Sequence, residues 1–146
     1  MKPLPHRYAL QLTGGPTDDA TLTVEGAPPL RSAPPLDFDG PGDAWSPEHL
    51  LLAAVASCFL FTLRAVAVAS KVTFTGLELQ VDGTVDKAEG GMRFTEIVLR
   101  PRLGVPAGVS AERAARAMDK AERACLVSAS LATTIRVEPD VVADPA

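Results

Sequence analysis

The sequence predicts an α+β fold, and three features lead there. Alternating apolar and polar residues flank a glycine-bearing break twice, at Gly14-Gly15-Pro16 and at Glu89-Gly90-Gly91, which is the pattern of paired strands. The run from Leu50 to Ala69 is rich in alanine and apolar on nearly every side, too continuous for a strand. After Ser110 the apolar residues recur at helical spacing. The order ββ, α, ββ, α, β keeps strands and helices in separate blocks, and 146 residues suffice for one domain, 1–146.

The elements follow in chain order. Tyr8–Thr13 and Thr21–Glu25 alternate and are predicted to form a hairpin. Six prolines between Ala27 and Pro47 make the next stretch either a linker or, given Leu30, Leu36, Phe38 and Trp45, a rigid segment packed on something. Ser46-Pro47-Glu48 is a helix start. Ser46 can accept from a free N–H, Pro47 suits the first helical position, and Glu48 suits the positive end of the dipole. Trp45 and Leu50 have the spacing of a hydrophobic staple. The helix through Ala69 is either a membrane span or the buried centre of a soluble fold. Its alanine content, the internal Arg64 and the flanking β patterns favour the second. Burying it on all sides needs more cover than a few strands give, so a homodimer is expected. Phe74–Val85 and Met92–Arg100 read as paired strands, with Pro101, Gly104, Pro106 and Gly108 ending the sheet. Ser110 caps a second helix whose inner stripe is Ala114, Met118, Ala121 and Cys125, with Glu112/Arg116 and Asp119/Arg123 pairing outside. Leu131–Glu138 is the last strand, and Pro139–Ala146 a loose tail.

Composition narrows the function. A hydrophobic share of 47% with 22% charged residues is that of a soluble globular protein, and a net charge of −4 gives no basic footprint for nucleic acid. The N-terminus has no apolar run before a cleavage site, so the cytoplasm is the expected location. His6 and His49 are the only histidines and lack close ligand spacing to the thiols, so no metal or other cofactor is expected. No serine stands in a nucleophile elbow and no glycine loop has phosphate-binding spacing.

The candidates for chemistry are the two cysteines. Either they are a working pair brought together by the fold or two unrelated core thiols. Cys58 lies in the apolar helix, where burial raises a thiol's pKa, and too far from the helix start for the dipole to help. A cation would have to come from elsewhere. Arg64, six residues on, points to another face, which leaves Arg31 of the proline-rich stretch as the candidate. Glu48 either compensates the dipole or orients such an arginine. Cys125 is either a core residue in the last helical turn or, if Leu126–Leu131 begins a new turn, a thiol near an N-terminus and easier to ionise.

The run Ser46-Pro47-Glu48-His49-Leu50 through Ala56-Ser57-Cys58-Phe59, together with Cys125-Leu126-Val127-Ser128, resembles the OsmC/Ohr family of osmotically inducible and organic hydroperoxide resistance proteins. That pattern has a Pro-Glu helix start, a Cys-Phe ten residues after the glutamate, and a Cys-x-x-Ser after an amphipathic helix. The resemblance implies an OsmC-like fold, with sheets around a long buried central helix in an intertwined homodimer. It also implies a thiol peroxidase that reduces organic hydroperoxides. Cys58 would be the peroxidatic thiol, Cys125 would resolve its sulfenic acid, and Glu48 would hold the activating arginine. An external dithiol, lipoyl-type in the better-known branch, would reduce the disulfide.

Two departures stand out. Gly14-Gly15 is followed by Pro16-Thr17-Asp18-Asp19 where the resistance branch has arginine, and Leu126 replaces a usual proline. The chain therefore resembles a divergent member of the family, and the resemblance implies a peroxidase acting on hydrophobic, lipid-type hydroperoxides, with no nucleic acid or membrane partner expected. The alternative is a non-catalytic binding module for small hydrophobic ligands on the same scaffold.

Overall fold

Ser46 starts the longest element. In the computed structural model, which describes residues 1–144, helix α1 spans Pro47–Ser70. Its cap is the one the sequence suggests: Ser46 Oγ accepts from the His49 N–H at 3.1 Å, satisfying one of the donors a helix start leaves free. The chain divides into two compact units, Met1–Leu51 and a second from Leu52 onward.

In the first unit, strands β1 (Gln11–Thr13), β2 (Ala20–Thr23) and β3 (Leu30–Ser32) form an antiparallel sheet in the order β1-β2-β3. The hairpin is where the alternation puts it, with Leu12 opposite Leu22. Strand β3 is a correction to the linker reading. Leu30 pairs with Leu22, and the extended run continues through a bridge from Ser32 to Trp45. Between them Gly40 lies so close to the chain that a Cβ there would fall 1.6 Å from the Pro34 carbonyl oxygen. Only glycine fits. The apolar residues expected to pack in this stretch divide: Leu30 is half-buried, whereas Leu36, Phe38 and Trp45 are 70%, 48% and 49% exposed.

The second unit is built on a long antiparallel ribbon. Strands β4 (Gly76–Ala88) and β5 (Gly91–Val105) pair along their length. They turn where Gly90 and Gly91 take φ of 91° and 122°, values that cost glycine no steric strain. Strands β6 (Thr134–Val137) and β7 (Asp140–Ala143) then run parallel to β5, one after the other along its free edge. Two sequence expectations are corrected. Strand β5 continues through Pro101 to Val105, and Asp140–Ala143 of the supposed loose tail is a strand, residues 145 and 146 lying outside the described range. The two corrections share a cause. Along that edge β6 pairs Glu96–Leu99 and β7 pairs Arg102–Val105, so Pro101, which has no N–H to give, falls at the junction between them.

Helix α2 (Ala111–Ala124) is capped by Ser110, whose Oγ accepts from the Arg113 N–H at 3.2 Å. Ala114, Ala117, Met118 and Ala121 face inward, and Arg116 pairs with Glu112. The Asp119/Arg123 pair does not close among the described residues. Arg113 Nη2 donates to the Ser70 carbonyl at 2.6 Å, fastening the start of α2 to the end of α1.

One stripe of α1 closes the core. Val55, Phe59, Leu63 and Val66, at helical spacing, cluster with Leu99 and Leu103 of β5 and Ala114, Met118 and Ala121 of α2. The opposite face stays uncovered: Phe61 is 59% and Val68 82% exposed. By length and apolarity α1 could cross a membrane, but its buried stripe belongs to this core. Phe59 is fully buried. Phe59→Ala is expected to lower stability by about 3–5 kcal/mol, read as a drop in the urea midpoint with an unchanged slope.

Candidate active site

The site begins with how two helices meet. α2 ends at Cys125, whose backbone leaves the helix at φ −70° and ψ 115°, and the next residues wind into α3 (Leu126–Ala129). Cys125 is therefore the C-cap of one helix and the N-cap of the next, fully buried at the corner. Cys58, in the middle of α1 on the border of its buried stripe, is half-buried and reaches the same corner. The fold thus brings together two thiols that stand 67 residues apart. Both are free and close enough to act on each other's ionisation, and Thr62 Oγ1, one turn along α1, lies 3.8 Å from Cys58 Sγ.

The corner treats the two thiols differently. Burial pushes Cys58 up, but the Cys125 thiol, the Val127 N–H, the Thr62 hydroxyl and the Leu126 N–H together outweigh it, so Cys58 is held below the ordinary cysteine value. Cys125 is pushed up by burial and by Cys58 beside it, and contacts from the Ser128 N–H and hydroxyl only partly offset this. Of the two alternatives left open for Cys125, the new helical turn does form. The benefit passes to the neighbour: the first two amides of α3 serve Cys58. Of the two, Cys58 is therefore the thiol whose surroundings favour the thiolate.

The other sequence candidates lie in the N-terminal unit. Glu48, in the first turn of α1, has its Oε2 buried without a hydrogen-bond partner. Arg31 is exposed on β3 and held by the Asp19 and Asp43 carboxylates, with Nη2 2.6 Å from Asp43 Oδ1. The histidines are engaged locally, His49 Nδ1 with Ser46 Oγ at 2.6 Å and His6 Nε2 with the Lys2 carbonyl at 2.7 Å. Among the described residues no group of three or more His, Cys, Asp or Glu is placed to hold a metal ion.

Sequence reasoning gave no role to Thr62, Glu122 or the amides of Leu126 and Val127, and Ser128 entered it only as the last residue of the Cys-x-x-Ser pattern. Spacing could have found the side chains: Thr62 is four residues from Cys58, and Glu122 and Ser128 lie three residues either side of Cys125. The amides carry no side-chain signature at all.

Residues 40–140 match the family described as OsmC-like protein. The chain belongs to the OsmC family. Among curated relatives of this OsmC-family chain, the peroxiredoxin OsmC of Escherichia coli is 31% identical over 93 residues, covering 64% of each chain. An organic hydroperoxide resistance protein of Xanthomonas axonopodis pv. citri is 30% identical over 116 residues, covering 77% of this chain and 78% of the relative. A solved OsmC-like protein of unknown function from Vibrio cholerae superposes with a TM-score of 0.83 over 92% of this chain and 99% of its own, at 17% identity, a likeness of fold.

The departure at Leu126 now has a physical meaning. Leu126 is the first residue of α3, a position where proline is well tolerated, and the extended backbone of Cys125 is what proline requires before it. Leu126→Pro should leave the turn intact and remove one N–H from Cys58. Its thiolate absorbance should then titrate at higher pH than in the parent, and an unchanged titration would show that this amide does not act on the sulfur.

Proposed function

We propose that this OsmC-family chain is a thiol peroxidase that reduces organic hydroperoxides, with Cys58 as the peroxidatic and Cys125 as the resolving thiol. The observation that carries the reading is the juxtaposition of two free thiols whose surroundings favour the thiolate on Cys58 and the thiol on Cys125. A peroxidatic sulfur has to be ionised and reachable, and Cys58 is the half-buried member of the pair.

The chemistry follows from that division. The Cys58 thiolate attacks the distal peroxide oxygen, the O–O bond breaks, and the alkoxide leaves as alcohol on taking a proton, so that sulfur is oxidised to sulfenic acid and the peroxide reduced. Cys125 sulfur then attacks Cys58 sulfur; the S–O bond breaks, water leaves and a disulfide forms. An external dithiol, lipoyl-type in our reading, restores both thiols by exchange. The names of the peroxiredoxin and hydroperoxide resistance relatives support the reaction class. The apolar helix around Cys58 favours a substrate with a hydrocarbon tail, since each buried Å² of tail contributes roughly 25 cal/mol.

Further assignments belong to the same proposal. Glu48 would hold the activating cation with its unpartnered oxygen, and Arg31 is the candidate, which would have to exchange Asp19 and Asp43 for that role. The protein would act as a homodimer, a second copy covering the exposed face of α1 around Phe61 and Val68, and in the cytoplasm, where reduced thiols persist. The hold of the two aspartates on Arg31 favours the second reading, a binding module for small hydrophobic ligands without turnover.

The deciding experiment is consumption of cumene hydroperoxide and of hydrogen peroxide with dihydrolipoamide as reductant. The peroxidase reading expects faster turnover of the organic peroxide, loss of turnover in Cys58→Ser, and a persistent Cys58 sulfenic acid in Cys125→Ser. Turnover no higher than that of Cys58→Ser, with several dithiols, would leave the binding module.

A further inference from the structure

Cys125 has the harder chemical task of the pair. It must give up a proton to attack Cys58, yet it is fully buried and its thiol is held in the neutral form. The proton needs a destination inside the corner.

Two polar groups that the proposed reaction does not use lie beside it. Glu122 precedes Cys125 by one helical turn on α2, its carbonyl accepting the Cys125 N–H at 3.2 Å, and Ser128 follows one turn later on α3. Glu122 Oε2 and Ser128 Oγ are both buried, and neither makes a well-formed hydrogen bond. The Ser128 hydroxyl nevertheless lies close enough to act on the Glu122 carboxyl and on the Cys125 thiol alike. A hydroxyl both donates and accepts, and one not committed to a fixed partner can rotate between two. Among the described residues no cation pairs with the buried carboxylate. Burial raises its pKa, the Ser128 hydroxyl partly opposes this, and the charged residues of the strands packed against α2 are otherwise engaged: Arg136 of β6 with Glu96 and Glu138, Asp140 of β7 with Arg102. On α2 itself the neighbouring Asp119 and Arg123 point away from the core, half-buried and exposed.

We propose that Glu122, acting through the Ser128 hydroxyl, accepts the proton of Cys125 when it attacks the oxidised Cys58. Ser128 takes the proton from Cys125 sulfur as it gives its own to the Glu122 carboxylate. Cys125 sulfur then bonds to Cys58 sulfur, the S–O bond of the sulfenic acid breaks, and the hydroxide leaves as water with a proton from solvent. Glu122 finally releases its proton to solvent. The same route run backwards returns a proton to Cys125 when the dithiol opens the disulfide. Glu122 is thus a positioning residue for the resolving step, and a carboxyl raised by burial is a better base for a thiol than an exposed one.

The inference rests on the peroxidase reading for its purpose, so the test has two arms. In the first, one equivalent of cumene hydroperoxide is mixed with reduced protein, and sulfenic acid formation and disulfide closure are followed separately across pH. Glu122→Gln should slow closure by about a hundredfold relative to sulfenic acid formation. Closure should then rise with pH along the Cys125 titration, and Glu122→Asp should recover part of the rate. In the second arm, Cys125 in a Cys58→Ser background is reacted with dithiodipyridine, which needs no peroxidase activity. Adding Glu122→Gln or Ser128→Ala should again slow the reaction and move its pH profile upward. Failure of the parent to form sulfenic acid would overturn the peroxidase reading, while the second arm would still decide the relay. Parental rates and pH profiles for Glu122→Gln and Ser128→Ala in that arm, or equal slowing of both steps in the first, would overturn the relay.

Discussion

The roll of α1 about its own axis is the constraint on which the site depends. A helix this uniformly apolar carries little amphipathic information, so its orientation is set by which side chains fit the space above β5 and against α2. Val55, Phe59, Leu63 and Val66 take that space. Phe59 is the largest side chain among them, and its seating leaves Cys58, the preceding residue, at the border of the stripe. A rotation of α1 by one residue would bury Cys58 fully or turn it to solvent. In either case it would lose Cys125 and the amides of α3.

The second constraint is the corner between α2 and α3. A helix end leaves carbonyls without partners and a helix start leaves N–H groups, so a residue serving as both concentrates exposed backbone dipoles in a small buried space. The Cys125 N–H is met by the Glu122 carbonyl and the Cys125 carbonyl by the Ala129 N–H, which holds Cys125 in place. The N–H groups of Leu126 and Val127 are then free to turn to Cys58. Position rather than identity divides the labour: burial raises both thiols, but at the half-buried Cys58 the donors outweigh it, whereas at the fully buried Cys125 they do not.

Much of this was legible in the sequence because it is written in side chains. Ser46 and Ser110 announce both helix starts, Gly90-Gly91 marks the turn of the ribbon, and the stripe Ala114, Met118, Ala121 and Cys125 carries the period of α2. What escaped reading is written in tertiary pairing. Strand β3 is three residues between proline pairs and exists because Leu22 and Ser32 have partners across the sheet. Strand β7 follows Pro139 with no alternation to betray it, and forms because β5 still has an open edge beyond Pro101. Pro101 reads as a terminator from its chemistry, yet the change of partner strands makes its missing N–H harmless. In the site, the thiol pair stood out by being the only cysteines, whereas the donors that divide their charge are backbone groups any sequence could supply.

That last point bears on how a thiolate can be stabilised without a cation. An arginine beside a thiolate offers a charge-assisted hydrogen bond, roughly twice as strong as a neutral one, and among the described residues no arginine is one of the groups acting on Cys58. The donors that hold Cys58 below the ordinary value are neutral: a thiol, a hydroxyl and two amides. One of those amides belongs to Leu126 and could not exist with proline in its place. Several preorganised neutral dipoles can act together where one ion would, at a smaller desolvation penalty, because burying an amide requires stripping less water than burying a guanidinium.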